Sequence, residues 1–301
     1  MDAASDTAAI ATVRRFNRTV TQRVGALDDS FLSRTRPLAQ ARILYEIDNG
    51  HSEVRQLRAQ LDLDSGYLTR LLQALERDSL IAIEEDPADR RVRRATLTAE
   101  GRAERAEYER LSDELAAGIL TALDDRQQKT LVDAMVTVDR LLTASMIEFA
   151  VVDPAHPAAR EATRRYLAEL DVRFRNGLIT EGTIGAADDE VRLPRGITLL
   201  ATLHDEPAAL GLLKFHGETT HLKRMWVSSD LRGLGLGRRL LSTLEAHAAE
   251  NGIRTVQLET NFALTEAIAL YRAAGYTEVP PFNDEPNGDL WFEKILWKGL
   301  T

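Results

Sequence analysis

The segment Arg232-Gly-Leu-Gly-Leu-Gly-Arg-Arg239 sets three glycines among arginines, directly before an apolar run containing Leu240, Leu241, Leu244 and Ala248. Ahead of it, Leu222-Lys-Arg-Met-Trp-Val227 reads as a strand and Ser228-Ser-Asp-Leu231 as a turn. A glycine loop between a strand and the start of a helix suits one kind of chemistry. Its exposed N–H groups and the helix dipole receive phosphate, and glycine lets the backbone approach a pyrophosphate closely. A dinucleotide-binding loop uses the same ingredients. Here arginines flank the glycines, and the loop follows several strands rather than the first one. A second concentration of charge is Arg90, Arg91, Arg93 and Arg94. Clustered arginines of this kind suit phosphate contact or a narrow minor groove.

The elements that carry these residues differ between the two halves of the chain. Ala8–Leu27 and Ala99–Ile147 have apolar residues at helical spacing and no proline. Pro154 and Pro157 then block continuation, so the spacing places a domain boundary at about residue 150, giving domains 1–150 and 151–301. In the second half, Ile197–Leu203, Ala209–Phe215, Leu222–Val227 and Thr255–Leu258 read as strands, with helices over Arg239–Glu250 and Thr265–Ala274. Strands mixed with helices indicate an α/β or α+β domain.

Within the first half, Ser52 is placed to cap a helix over Glu53–Leu61. After the turn Asp62-Leu-Asp64, a second helix runs from Ser65 to about Asp78 with Leu68, Leu71, Leu72 and Leu75 inward. Two short helices about a tight turn form a helix-turn-helix. The outward face of the second carries Ser65, Tyr67, Thr69, Arg70 and Gln73, side chains that can reach base edges or phosphates. Leu80–Ile83, the turn Glu84–Asp89 and Arg90–Thr98 then make a hairpin, a wing with the arginines at its tip and return strand. Asp86-Pro-Ala-Asp-Arg-Arg91 followed by Leu97-Thr-Ala-Glu-Gly101 resembles the wing of the multiple-antibiotic-resistance regulator (MarR) family, over about residues 10–145. The resemblance implies a homodimer built from the first and the last two helices, and a pseudo-palindromic double-stranded operator. It makes Arg90 the wing arginine and Asp89 its companion acid. Asp62, Asp64, Glu84, Glu85 and Asp86 flank the reading surface and would repel phosphate, which implies weak or sequence-demanding DNA binding.

In the second half, Arg232-x-x-Gly235-x-Gly237 resembles the coenzyme A loop of the GNAT superfamily of N-acetyltransferases. A second block, Val256–Asn261 followed by Ala267–Tyr276, resembles that superfamily's later motif. Together they imply acetyl-coenzyme A as acetyl donor. The implied binding residues are Met225, Trp226 and Val227 on the strand, then Arg232, Gly233, Leu234, Gly235, Leu236, Gly237 and Arg238 in the loop. Leu264 stands where many members have asparagine, and Asn261 is the nearby substitute. The resemblance makes Tyr271 the proton donor to the leaving thiolate, as a phenol and a thiol have pKa values within about two units. For the base that deprotonates the amine, Glu218, His221 and Glu259 remain open. Asp284 and Glu285, in a polar loop before the last strand, would attract a cationic amine but also make a good turn. Tyr166, Glu169, Arg173 and Phe174 lie on an early helix that often lines the acceptor site in this superfamily.

The 301 residues carry 38 Lys+Arg against 47 Asp+Glu, a net charge of −9, with 44% hydrophobic residues, which excludes a largely disordered chain. The absence of cysteine excludes disulfides, thiolate zinc sites and a cysteine nucleophile, and no metal site is expected. No apolar run approaches a membrane span and the first ten residues lack signal-peptide character, so a cytoplasmic location is expected. The combined expectation is a mainly α winged helix-turn-helix followed by an α/β (α+β) acetyltransferase fold with a mixed, mostly antiparallel sheet. Its function would be to bind an operator and acetylate an unidentified amine. The alternative is a regulator whose second domain senses acetyl-coenzyme A or another ligand without turnover.

Overall fold

The structure, a computed structural model, describes residues 3–25, 32, 36–174 and 187–296. It divides into two compact units, Met1–Ala134 and Met135–Thr301.

The first unit opens with helix α1 (Ala3–Arg23). The Leu27 end of the helix expected over Ala8–Leu27 lies outside the described residues. Helices α2 (Leu38–Asp48), α3 (Val54–Leu61) and α4 (Ser65–Arg77) then enclose a core of Ile43, Leu44, Leu57, Leu68, Leu71, Leu72 and Leu75. The leucines of α4 recur at helical spacing and bury one face, as the sequence pattern requires. Asp64 caps α4 by accepting from the Tyr67 N–H at 2.9 Å. Ser52 does not cap α3. Glu53 takes the cap position without a side-chain bond, and the Ser52 Oγ instead accepts from Arg94 Nη1 at 3.2 Å.

Strands β1 (Ile81–Glu85) and β2 (Arg93–Leu97) form the wing, antiparallel from Ile81↔Leu97 to Glu85↔Arg93. Helix α5 (Ala99–Thr121) starts at a cap from Thr98, whose Oγ1 accepts from the Gly101 N–H at 2.9 Å. Gly101 lies against the backbone just ahead of the wing's first strand: a Cβ there would fall 1.9 Å from the Leu80 carbonyl oxygen. The single helical stretch read over Ala99–Ile147 is two helices, because Asp124 and Gln127 cap the start of α6 (Asp125–Ser145) reciprocally, side chain to backbone.

The second unit is a seven-stranded sheet in the order β3-β4-β5-β6-β7-β9-β8. Its elements in chain order are β3 (Glu148–Val152), α7 (Pro157–Arg173), β4 (Gly196–Leu203), β5 (Glu206–His216), β6 (Thr219–Val227), α8 (Leu236–Glu250), β7 (Thr255–Thr260), α9 (Thr265–Ala273), β8 (Thr277–Val279) and β9 (Leu290–Ile295). Among the described residues only β6 and β7 pair in parallel, so the sheet is mixed and mostly antiparallel. β5 is buried along most of its length, as a strand covered on both faces should be. One face packs against Leu240, Leu241 and Leu244 of α8 with Ile268 and Tyr271 of α9. The other meets Ala159 and Ala162 of α7 through Leu200, Leu210, Leu212 and Trp226. Residue 150, the boundary expected from the prolines, falls inside β3, which pairs with β4 from Glu148↔Thr202 to Val152↔Thr198.

Gly101→Ala should destabilise the first unit by about 2–3 kcal/mol, since backbone rather than a movable side chain fills the space. Urea unfolding followed by circular dichroism would measure this, and an unchanged midpoint would contradict the contact.

Candidate functional site

Two departures from regular pairing open the second unit's sheet. In β6 the register shifts opposite Gly211: Leu210 pairs with Trp226 and Leu212 with Lys223, leaving Arg224 and Met225 bulged. Arg224 takes the left-handed region at φ +53°. The parallel pairing of β6 with β7 then stops at His221↔Gln257, although both strands continue. Two adjoining cavities, of about 430 and 470 Å³, flank the separated strands and share Tyr166, Leu170, Met225, Leu264, Ala267 and Tyr271. The bulge distributes consecutive residues between them. Lys223 and Arg224 line the larger, Met225 lines both, and Trp226 and Val227 line the smaller.

The smaller cavity holds the glycine loop. Arg232, Gly233, Gly235, Leu236, Gly237 and Arg238 line it, and Leu234 does not. Helix α8 starts earlier than the sequence pattern indicates, at Leu236, so Gly235 is its N-cap at φ +77°. A Cβ on Gly235 would meet nothing within 4 Å, and the first turn of α8 contains no acidic residue. An open glycine backbone at a helix N-terminus without a competing carboxylate suits a phosphate group. Arg232, though exposed, is engaged by the protein: it donates to the Val227 carbonyl at 3.0 Å and to both oxygens of Glu169 at 2.7 and 2.6 Å. Glu169 also accepts from Trp226 Nε1 at 3.2 Å and from Arg173 Nη1 at 3.2 Å. Arg173 bridges onward to Glu266 at 2.7 Å.

At the junction, Tyr271 is 5% exposed and its hydroxyl donates to Met225 Sδ at 3.7 Å. Burial pushes its pKa above that of an ordinary phenol, and Tyr166 and Glu259 push the same way, so the proton stays on at neutral pH.

The larger cavity contains most of the remaining ionisable candidates. His221 lies between the His216 ring, at 4.7 Å, and the Phe282 ring, at 5.2 Å. Burial lowers its pKa, helped by His216 and Lys223 and opposed by Glu259, which keeps the imidazole neutral and able to accept a proton. Glu259 is held by Lys223 and by Asn283 Nδ2 at 3.2 Å. Lys223 also reaches Glu285 at 3.5 Å, and Asn283 in turn accepts from Trp291 Nε1 at 2.8 Å. Phe174 and Asp284 also line this cavity, while Glu169 and Arg173 line the smaller one.

Two candidates are corrected. Glu218 lies in neither cavity; it sits at the β5–β6 turn, is exposed, and pairs with Arg254 at 3.4 Å. Asn261 lines the larger cavity and not the glycine-loop side. Its Oδ1 accepts from the Ala263 N–H at 2.9 Å and its Nδ2 donates to the Asn287 carbonyl at 3.2 Å, so it closes the turn after β7. Leu264, which lines both cavities, holds the position near the loop.

In the first unit, Ser65, Thr69, Arg70 and Gln73 are exposed on α4. Tyr67 is half-buried against the core, with the Arg70 guanidinium 5.7 Å from its ring centroid. The wing sorts its arginines by partner. Arg94 bonds Asp86 and Glu53, and Arg91 bonds Asp89 through Nε at 3.0 Å and Nη2 at 2.8 Å. These bonds hold both aspartates below the usual carboxylate range. Arg90 and Arg93 are exposed and make no ion pair with a described residue.

Residues 163–276 match the Acetyltransferase (GNAT) family and residues 35–92 the MarR family. An uncharacterised N-acetyltransferase of Dictyostelium discoideum is 36% identical over 78 residues, covering 26% of this chain and 36% of that protein. An IAA acetyltransferase of Azospirillum brasilense is 41% identical over 142 residues, covering 45% of this chain and 87% of that protein. The chain therefore spans about a third of the first relative and most of the second. A crystal structure of a GNAT-family acetyltransferase from Staphylococcus aureus has a TM-score of 0.44 at 18% identity, covering 50% of this chain and 99% of that one. Given its identity to most of the Azospirillum protein, this chain belongs to the GNAT acetyltransferase family, and it carries a MarR-family winged helix ahead of that domain.

Proposed function

We propose that the chain is a dimeric operator-binding protein whose second unit transfers an acetyl group from acetyl-coenzyme A to an amine. The observation that carries the enzymatic part is the meeting of two cavities at Met225 and Tyr271, one beside a glycine-loop helix start and one beside ionisable groups. The backbone of Gly233, Gly235 and Gly237, with Arg238, would hold the phosphates, and Met225, Trp226 and Val227 the arm that follows. When bound, acetyl-coenzyme A supplies the activated acetyl group. The chain's own residues move the protons. His221 Nδ1 or Nε2 accepts one from the acceptor amine, directly or through water. Tyr271 Oη keeps its proton until the junction develops negative charge and then gives it up. Glu259 remains a second candidate base, though Lys223 and Asn283 already engage it.

For the first unit, Ser65, Tyr67, Thr69 and Arg70 would meet the major groove, and Arg90, Arg91 and Arg93 the phosphates or minor groove. Two helices support a dimer. Ile10, Val13, Phe16 and Val20 are 37–59% exposed along α1, and Val132, Met135, Val136, Leu141 and Leu142 are 44–64% exposed along α6. Apolar rows of this kind on helices suit burial against a second copy. Among the described residues no helix is long and apolar enough to cross a membrane.

The decisive experiment is Tyr271→Phe in the full chain. Turnover with an accepted amine should fall about 100-fold while acetyl-coenzyme A still binds in calorimetry. Cofactor binding by the wild type without turnover on a broad amine panel would instead favour the sensor.

His221 gives a pH signature. Its pKa is lowered in the folded protein, so the unfolded chain takes up more protons below about 6.5. Any contribution of the neutral ring to stability should be full above that value and decline as pH falls below it, while proton acceptance should fail only through the ring's own, lower midpoint in the folded protein. The ring's NMR titration midpoint should lie below 6.5, and His221→Gln should lower turnover at neutral pH. A midpoint at or above 6.5 would count against the role.

Arg90→Ala and Arg93→Ala should each weaken DNA binding across sequences and reduce the salt slope by about one. Fluorescence anisotropy at several salt concentrations measures both. Unchanged slopes would leave the wing out of the interface.

A further inference from the structure

Helix α6 reaches the glycine loop from well outside the segment that matches the GNAT family. Near its C-terminal end, Arg140 donates from Nη2 to the Gly233 carbonyl at 2.9 Å, across 93 residues of sequence. Gly233 has φ +78°, and a Cβ there would fall 2.8 Å from the same Nη2, so the guanidinium lies directly against the loop backbone. The other end of the loop is tied to the same region. Arg239, in the first turn of α8, donates to the carbonyls of Ala144 and Ile147, each at 3.0 Å, and its guanidinium carbon lies 4.6 Å from the Phe149 ring centroid. The Ala144 carbonyl is one of those a helix end leaves without an intrahelical partner. Loop and helix end therefore satisfy each other.

Holding the Gly233 carbonyl has a consequence for the loop's donors. In a planar trans peptide the C=O and the following N–H point in opposite directions, so fixing one fixes the other. Glycine places little restriction on its own backbone. A glycine loop that must present donors to phosphate gains affinity when something outside it removes the competing conformations. Charge points the same way. Arg232 is engaged by Glu169, and Arg239 by the α6 carbonyls. Arg140 and Arg238 form no ion pair with a described carboxylate, and an arginine donating one N–H to a carbonyl keeps its full charge and its other donors.

We propose that Arg140, supplied by α6, positions the glycine loop for coenzyme A by holding the Gly233–Leu234 peptide from its carbonyl side, its guanidinium charge adding to the field that the phosphates meet. The proposal rests on the acetyl-coenzyme A reading of the loop. The test is calorimetric titration of the full chain with coenzyme A at several salt concentrations, for the wild type, Arg140→Ala, Arg140→Lys and the control Glu218→Gln. S-acetylpantetheine, which lacks the phosphates, is the second probe. Arg140→Ala should bind coenzyme A about tenfold more weakly, as for loss of a charge-assisted contact, with a shallower salt dependence. Arg140→Lys should recover part of the loss, Glu218→Gln should match the wild type, and S-acetylpantetheine affinity should be unchanged in all. Unaltered coenzyme A affinity in Arg140→Ala overturns the proposal and leaves the reading of the loop standing. An equal loss for S-acetylpantetheine overturns it as well, since the defect would then be a general collapse of the cavity. Absence of coenzyme A binding by the wild type removes both the proposal and the reading beneath it.

Discussion

The end of pairing between β6 and β7 at His221↔Gln257 is the constraint on which the second unit's chemistry depends. A sheet that stayed paired would fill its centre with backbone hydrogen bonds and leave no room between the strands. Separation exposes strand ends to a cavity, the usual place for a ligand in a sheet whose strand order switches. The bulge at Arg224–Met225 adds to this by offsetting the alternation of side chains, so that neighbouring residues of one strand serve both cavities. Tyr271 reaches the junction because α9 packs on the same face as α8, and its burial there raises the phenol's pKa further above neutrality.

Charge in both units is arranged by pairing more than by amount. The wing's Asp86 looks repulsive to DNA in the sequence, yet it is engaged by Arg94 of the same hairpin, as Asp89 is by Arg91. Arg94 thereby becomes a brace between the wing and the start of α3, through Glu53 and Ser52, rather than a groove contact. Exposed pairs of this kind add little stability. Their effect is to fix geometry and to decide which cations remain outward. In the second unit Glu169 does the same for Arg232, Arg173 and the Trp226 indole.

Much of the fold was legible because it rests on local rules. The leucine spacing of α4 and the glycine loop each satisfy a requirement within a few residues. Helix ends were less legible: Asp124 and Gln127 carry the capping signal that divides α5 from α6, but continuous helical spacing on both sides conceals it. β3 was hidden for another reason. Its short run is followed by Pro154 and Pro157, which read as a linker, while its identity as a strand comes from pairing with β4, fixed some fifty residues later. The site divides in the same way. The motif resemblance named Met225, Gly235 and Tyr271, and all three lie on a cavity wall. It misled at Glu218 and Asn261, because a residue's distance along a strand does not say which cavity its side chain enters. The Arg140–Gly233 contact exists only once the chain has folded, and no local pattern announces it.

β3 is an edge strand, and β4 behind it is buried along most of its length. A cut in the chain near residue 150, whether made by a protease, a gene fission or an expression boundary, would remove half of β3. It would leave the β4 backbone donors and acceptors facing water beside Leu199 and Leu200, the kind of raw edge that recruits other strands into aggregates. The regulator-like and enzyme-like halves are therefore not separable at the point where the sequence changes character. A fragment that keeps β3 paired would have to begin before it, within the part of α6 from Met135 onward that falls in the second unit.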